Sequence, residues 1–161
     1  MRYFIISDTH FGHKNIIGYC NRPFRSIDEM NKAIIKRWNE SVSNEDIIIH
    51  LGDFFLGSKE ECKLIAKQLH GRKILIKGNH DNWSDEFYRT ECGFEYVSKF
   101  PIVYDGFYLL SHAPLQLSET TPYYNYYGHV HNDEKYQDTA TSKCVSVERI
   151  GYRPLLFMEK N

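Results

Sequence analysis

Asp46-Ile47-Ile48-Ile49-His50-Leu51-Gly52-Asp53 is the stretch that decides the fold. Its apolar middle reads as a buried strand that ends at Gly52-Asp53. Upstream, Ser26 with Glu29 has the spacing of a capping box. Ile27, Met30, Ile34 and Trp38 then recur at helical spacing, which predicts a helix of about four turns. Before it, Tyr3-Phe4-Ile5-Ile6 is a short apolar strand that delivers Asp8 and His10 into the following loop. Downstream, Ser58 with Glu61 repeats the capping signature. Cys62, Ile65, Ala66 and Leu69 line one face of a helix that stops at His70-Gly71. Lys73-Ile74-Leu75-Ile76 is the next strand, and it ends at Gly78-Asn79-His80-Asp81. A βαβαβ start of this kind predicts a parallel sheet with right-handed crossovers.

The second half changes character. Phe100 to Tyr104 and Phe107 to Leu110 flank Asp105-Gly106, a two-residue hairpin signal, and the returning strand ends at Ser111-His112. Tyr123 to Tyr127 leads to Gly128-His129-Val130-His131. Cys144 to Val147 and Pro154 to Met158 are two further strand candidates. Periodicity thus gives an α/β half followed by a β-rich half. The length of 161 residues fits one domain over 1–161, without repeat or linker.

Composition narrows the function. Lys+Arg of 20 against Asp+Glu of 21 leaves a net charge of −1, so there is no basic field to hold long nucleic acid. Cys20, Cys62, Cys92 and Cys144 are scattered singly, which reads as reduced thiols in a cytoplasmic protein. The apolar run Tyr3 to Ile6 is too short for a signal peptide or a membrane span.

Seven potential metal ligands sit in five short clusters, each after an apolar run: Asp8 and His10, Asp53, Asn79, His112, and His129 with His131. Asp, Asn and His offer oxygen or imidazole nitrogen to divalent cations, and five clusters supply enough ligands for two ions. Two adjacent cations favour phosphoryl chemistry, because they clamp both the attacking and the departing oxygens. Singly, each residue has a plain structural use: a His after a strand is usually a hydrogen-bonded packing residue, and Asp or Asn beside Gly usually forms a turn. The conjunction of all five, in order, is what points to a di-metal site. Gly128-His129-Val130-His131 carries most, since an i, i+2 pair points to one side of an extended segment.

The order D-x-H, G-D, G-N-H-D, H, G-H-x-H, running from Asp8 to His131, resembles the calcineurin-like metallophosphoesterase superfamily, and the opening Ser7 to Phe24 is similar to its small stand-alone bacterial and phage members. The resemblance implies a four-layer α-β-β-α sandwich with two mixed β-sheets and helices outside. It implies that Asp8, His10 and His131 hold one metal, Asn79, His112 and His129 the other, and that Asp53 bridges them. The ions would be borderline or hard divalent cations such as Mn, Fe, Ni or Zn. A water shared by the two would ionise near pH 7 and attack phosphorus. His80, beside a ligand but not itself assigned to metal, would protonate the leaving oxygen. The expected substrate is a phosphodiester or phosphomonoester of a small molecule, nucleotides included. The alternatives are a nuclease of the same superfamily, which needs a basic surface this chain lacks, and a non-catalytic scaffold, which the presence of His80 and the full ligand set opposes.

The chain also departs from the phosphoprotein phosphatases of that superfamily, where G-D continues with a second Asp and an Arg. Here Asp53 is followed by Phe54-Phe55-Leu56-Gly57. Arg22, in a Pro-containing loop soon after His10, is the candidate to bind phosphate instead, with a plain surface Arg as the alternative. His13 is a second candidate substrate contact. Asp81 is as suited to fixing its loop as to orienting His80. His50 reads as a hydrogen-bonded core residue and His70 as a helix end. Tyr123, Tyr124, Tyr126 and Tyr127 suit strand packing better than stacking on a base.

Overall fold

Ser26 opens the long helix as expected: its side chain accepts the Glu29 backbone N–H, and Met30, Ile34 and Trp38 make the buried stripe of Ile27–Ser41. The Glu29 carboxylate takes the Arg25 N–H instead of closing the box. At Ser58 both halves of the capping box form, starting Lys59–Ala66. The computed structural model describes residues 1–160. In chain order it contains β1 (Arg2–Ile6), α1 (Ile16–Tyr19), α2 (Ile27–Ser41), β2 (Ile47–His50), α3 (Lys59–Ala66), β3 (Arg72–Ile76), a π-helical segment (Phe87–Glu91), β4 (Phe94–Ser98), β5 (Ile102–Tyr104), β6 (Tyr108–Leu110), β7 (Tyr124–Tyr127), β8 (Ser142–Cys144) and β9 (Leu155–Glu159).

Two mixed sheets result. The first has the order β4-β3-β2-β1-β9, with β1 to β4 parallel and β9 antiparallel; the second has the order β5-β6-β7-β8. In it, β5 pairs antiparallel with β6, while β6, β7 and β8 are parallel. Alternation along the strands sorts the core. Phe4, Ile6, Ile48 and Leu75 turn toward Met30, Ile34, Trp38 and Cys62 of the helices. Ile5, Ile49 and Ile76 face Leu110, Tyr108 and Tyr126 of the second sheet. A slip of one residue would exchange the two faces, so the register is firmly set. Trp38 is fully buried, and its indole N–H reaches the His70 carbonyl at 2.9 Å. Truncating such a side chain costs about 3–5 kcal/mol.

The Asp105-Gly106 signal is realised: both residues have positive φ, and the Phe107 N–H returns to the Tyr104 carbonyl at 3.2 Å. Three features differ from the sequence reading. β4 is an additional parallel edge strand, with Glu95 and Tyr96 exposed in its middle. Residues 145–147 leave β8 and pair with Ser7, linking the two sheets. The outer face of the second sheet is covered by loops rather than helices among the described residues. Leu115 donates to Asn125 there, and Val130 packs on Tyr127 and Cys144. No stretch after Cys92 carries a helical period, which is why that layer is irregular. All four cysteines are free and buried.

Candidate metal centre

The parallel strands bring the candidate ligands together. Asp8 follows β1, Asp53 follows β2, Asn79 and His80 follow β3, His112 follows β6, and His129 follows β7. Strands that run the same way end on the same side, so the five loops converge. The loops are tightly bent: Asp8, His10, Asp53, His129 and His131 all have positive φ, between 48° and 69°. Non-glycine residues seldom adopt this conformation, and strain of this kind concentrates at functional sites. Two glycines make the approach possible. A Cβ on Gly78 would collide with the Asp53 carboxylate, and one on Gly128 with the Ser7 hydroxyl and the Asp8 carboxylate.

Donor atoms form two adjoining groups. Asp8, His10 and His131 make one; Asp53, His112 and His129 make the other. Asp53 Oδ2 lies between, 3.4 Å from His10 Nε2 and 3.6 Å from His112 Nε2. Asn79 Oδ1 joins the second group, 3.0 Å from His112 Nε2. His129 Nδ1 is 3.1 Å from that same nitrogen.

The chemistry of these donors fits a cation in each group. In the first, Asp8 Oδ1 and His10 Nε2 are buried and have no hydrogen-bond partner. Buried polar atoms rarely stay unsatisfied without a ligand to complete them. Asp8 Oδ2, by contrast, accepts from Ser146 Oγ at 2.7 Å and the His129 N–H at 2.9 Å. Those donors fix the carboxylate so that Oδ1 faces the gap. In the second group, His112 Nδ1 lies 2.8 Å from the Leu51 carbonyl. It must carry the proton, so Nε2 presents a lone pair to the Asn79 oxygen. With the imidazole neutral, these two acceptors 3.0 Å apart suit a cation placed near both.

Support comes from farther along the chain. His131 Nδ1 meets Glu148 Oε1 at 3.1 Å, turning Nε2 toward Asp8. Burial opposes a proton on His131, but its hydrogen bonds to Cys20 and Glu148 and the nearby Asp8 hold its pKa up at about 10. Binding a metal at His131 Nε2 would displace a proton there, so metal affinity would fall as pH falls. For Asp53, burial is outweighed by His10, His112 and the His80 N–H, which hold its carboxylate well below the usual range. Cys20, His131 and Glu148 also come close together, and Glu148 Oε2 likewise has no hydrogen-bond partner, but the Arg22 guanidinium on Oε1 already compensates the carboxylate charge, so that corner supports the site.

Arg22 is therefore not the phosphate ligand of the sequence reading. It is buried, and its donors go to Glu148 (2.8 Å), the Thr9 carbonyl (2.9 Å) and the Asp8 carbonyl (2.7 Å). A guanidinium satisfied this way holds the Asp8 loop and has no fork left for substrate. His13 stands beside the centre, its Nδ1 3.1 Å from His10 Nδ1; burial, then His10 and His80, lower it to about 4.

His80 is half-exposed, 4.0 Å from Asp53 Oδ2, with its ring 5.3 Å from that of His10. Asp81 does not orient it. The Asp81 carboxylate accepts the backbone N–H groups of Asp53, Gly78 and Phe54, tying two loops together, while burial pushes it up to about 6. His50 accepts from the Gly52 N–H through Nδ1 and shares a 2.9 Å hydrogen bond with Thr9 through Nε2. It is the hydrogen-bonded core residue expected. Tyr126 and Tyr127 pack in the core. Ser146 and Glu148 are the functional residues that sequence reasoning missed. Their signal was the alternation of polar residues with Val145 and Val147 after β8.

A family model described as calcineurin-like phosphoesterase matches residues 1–156. An uncharacterized protein of Methanocaldococcus jannaschii is 34% identical over 96% of this chain and 86% of its own length. The gene 66 protein of Mycobacterium phage L5 is 35% identical over 47% of this chain and 37% of its own length. A crystal structure of a protein of unknown function from Aquifex aeolicus superposes with a TM-score of 0.73 at 30% identity. That match covers 96% of this chain and 95% of the other.

Proposed function

Because the chain belongs to the calcineurin-like phosphoesterase family, we propose that it hydrolyses a phosphodiester or phosphomonoester of a small molecule, nucleotides included, at two divalent metal ions. Asp8, His10 and His131 would hold one ion, Asn79, His112 and His129 the other, with Asp53 between. The observation that carries this reading is the set of donor atoms turned into one gap: Asp8 Oδ1 and His10 Nε2, buried without a hydrogen-bond partner, in one group, and His112 Nε2 beside Asn79 Oδ1 in the other. Two ions there supply positive charge to the phosphate and ionise a water near neutral pH.

The chain's own residues do the rest. Leu51 and Glu148 fix which nitrogen His112 and His131 present, as outer partners of metal-binding histidines do. Ser146 and the His129 N–H aim Asp8. The neutral amide of Asn79 ligates without cancelling charge that the phosphate needs. The His80 imidazole, half-exposed at the mouth and 4.0 Å from Asp53 Oδ2, makes no hydrogen bond to another side chain among the described residues and is free to turn and give a proton to the leaving oxygen.

A screen of phosphomonoesters, phosphodiesters and cyclic nucleotides, with Mn²⁺, Ni²⁺ and Zn²⁺ resupplied to metal-stripped protein, tests the proposal. Metal-restored hydrolysis of at least one class is the expected result. No turnover of any substrate with any metal would contradict it.

A further inference from the structure

The loop between His13 and α2 carries a feature that the metal centre leaves unused. Tyr19, at the end of α1, is 75% exposed, so its ring is open to solvent. Its ring lies 6.3 Å from that of His13, which in turn lies 6.0 Å from the ring of His80. Tyr19 thus stands at the near edge of the metal centre. It lines a cleft of about 450 Å³ with Lys14, Ile17, Arg25 and Ser26. Neither the Lys14 ammonium nor the Arg25 guanidinium is in an ion pair among the described residues. Glu29 accepts the backbone N–H of Arg25 at 2.9 Å without reaching its side chain within ion-pair distance.

We propose that this cleft is a substrate subsite for a nucleotide that carries a phosphate besides the scissile one. The base lies on Tyr19, and Lys14 and Arg25 hold the additional phosphate. An exposed ring offers a stacking face to any base, and Arg adds a bidentate fork for phosphate oxygens. His13, between Tyr19 and His80, spaces the base from the reacting phosphorus. The inference rests on the phosphoesterase reading for the scissile phosphate, but the cleft's own residues can be tested apart from it.

The test uses full-length protein reloaded with Mn²⁺, with ADP and inorganic phosphate as competing inhibitors of bis-p-nitrophenyl phosphate hydrolysis. Phosphate reaches only the metals, whereas ADP also spans the cleft. The ratio of the ADP to the phosphate inhibition constant is expected to rise about tenfold in Tyr19→Ala, as loss of one stacked base predicts, and by at least about tenfold in the Lys14→Ala/Arg25→Ala double variant, which loses both cationic contacts. Tyr19→Phe keeps the stacking face and is expected to hold the wild-type ratio. An unchanged ratio in both disruptive variants overturns the subsite. If the wild-type protein does not hydrolyse this diester, whichever substrate the screen identifies replaces it, and no turnover of any substrate means that the phosphoesterase reading fails instead. Equilibrium dialysis of ADP against wild type and the same variants then decides the subsite: equal binding refutes it, and a loss confined to the variants supports it.

Discussion

Arg22 and Glu148, 126 residues apart in the chain, form a buried ion pair with Nη2 and Oε1 2.7 Å apart, and the same carboxylate oxygen meets His131 Nδ1 at 3.1 Å. One arginine thus joins the loop after β1, through the Asp8 and Thr9 carbonyls, to the far end of the chain.

Removing one partner of a buried pair strands the other. Arg22→Ala is expected to destabilise the metal-free protein by about 3–5 kcal/mol in urea unfolding. Arg22→Lys should also lose stability, since an ammonium cannot make the fork. In the Arg22→Lys protein, the ratio of kcat/KM for bis-p-nitrophenyl phosphate to that for p-nitrophenyl phosphate should stay at the wild-type value. A selective loss with the monoester would show that the guanidinium binds phosphate after all.

His80 and Asp53 should part ways when replaced. His80→Ala is expected to keep both metals and to lower kcat by about 10²–10⁴, most for poor leaving groups that need a proton. Asp53→Asn should weaken both metal sites, since its Oδ2 faces histidines of each group. Metal content and rate, measured on the same preparations, separate the two. Equal metal loss would show His80 to be misplaced in this scheme.

Gly128→Ala should act on metal binding from a position that holds no ligand. The added methyl meets Ser7 Oγ and Asp8 Oδ2, so the Asp8 carboxylate must move. Isothermal titration with Mn²⁺ is expected to show a weakened site, whereas Gly106→Ala, with open space at its Cβ position, should leave metal affinity unchanged.

Much of this was legible because it is local. The five clusters of candidate ligands lie at strand ends, and both capping signatures open helices where Ser26 and Ser58 predict them. What escaped depends on contacts across the chain. Glu148 matters only because folding sets it beside His131 and Arg22, and Ser146 only because its strand continues onto Ser7. The nearness of Arg22 to His10 in the chain suggests a side chain reaching into the site. Its burial under Thr9 and Asp8 is a packing outcome that no spacing reveals. β4 was hidden because a strand at a sheet edge, with Glu95 and Tyr96 facing solvent, lacks a continuous apolar run.

Acid should expose the tie between β1 and the start of β2. Burial works against ionising Asp46, but Arg2 and Ser43 hydrogen bonds hold it at about 2, below its ordinary 3.8. A lowered folded-state pKa gives stability that is present above pH 3.8 and is lost as pH falls toward 2. Asp46→Asn is therefore expected to be less stable than wild type at pH 6, with the gap closing between about pH 4 and pH 2 in unfolding of metal-free protein. A gap that stays constant across that range would contradict the assignment.

The number of ions bound tests the central claim most directly. After chelation and resupply of Mn²⁺, elemental analysis of the wild-type protein is expected to find about two ions per chain. Asp8→Ala and His112→Ala should each reduce this to about one by emptying different groups. A wild-type chain that holds at most one ion at excess Mn²⁺ would contradict a two-metal centre.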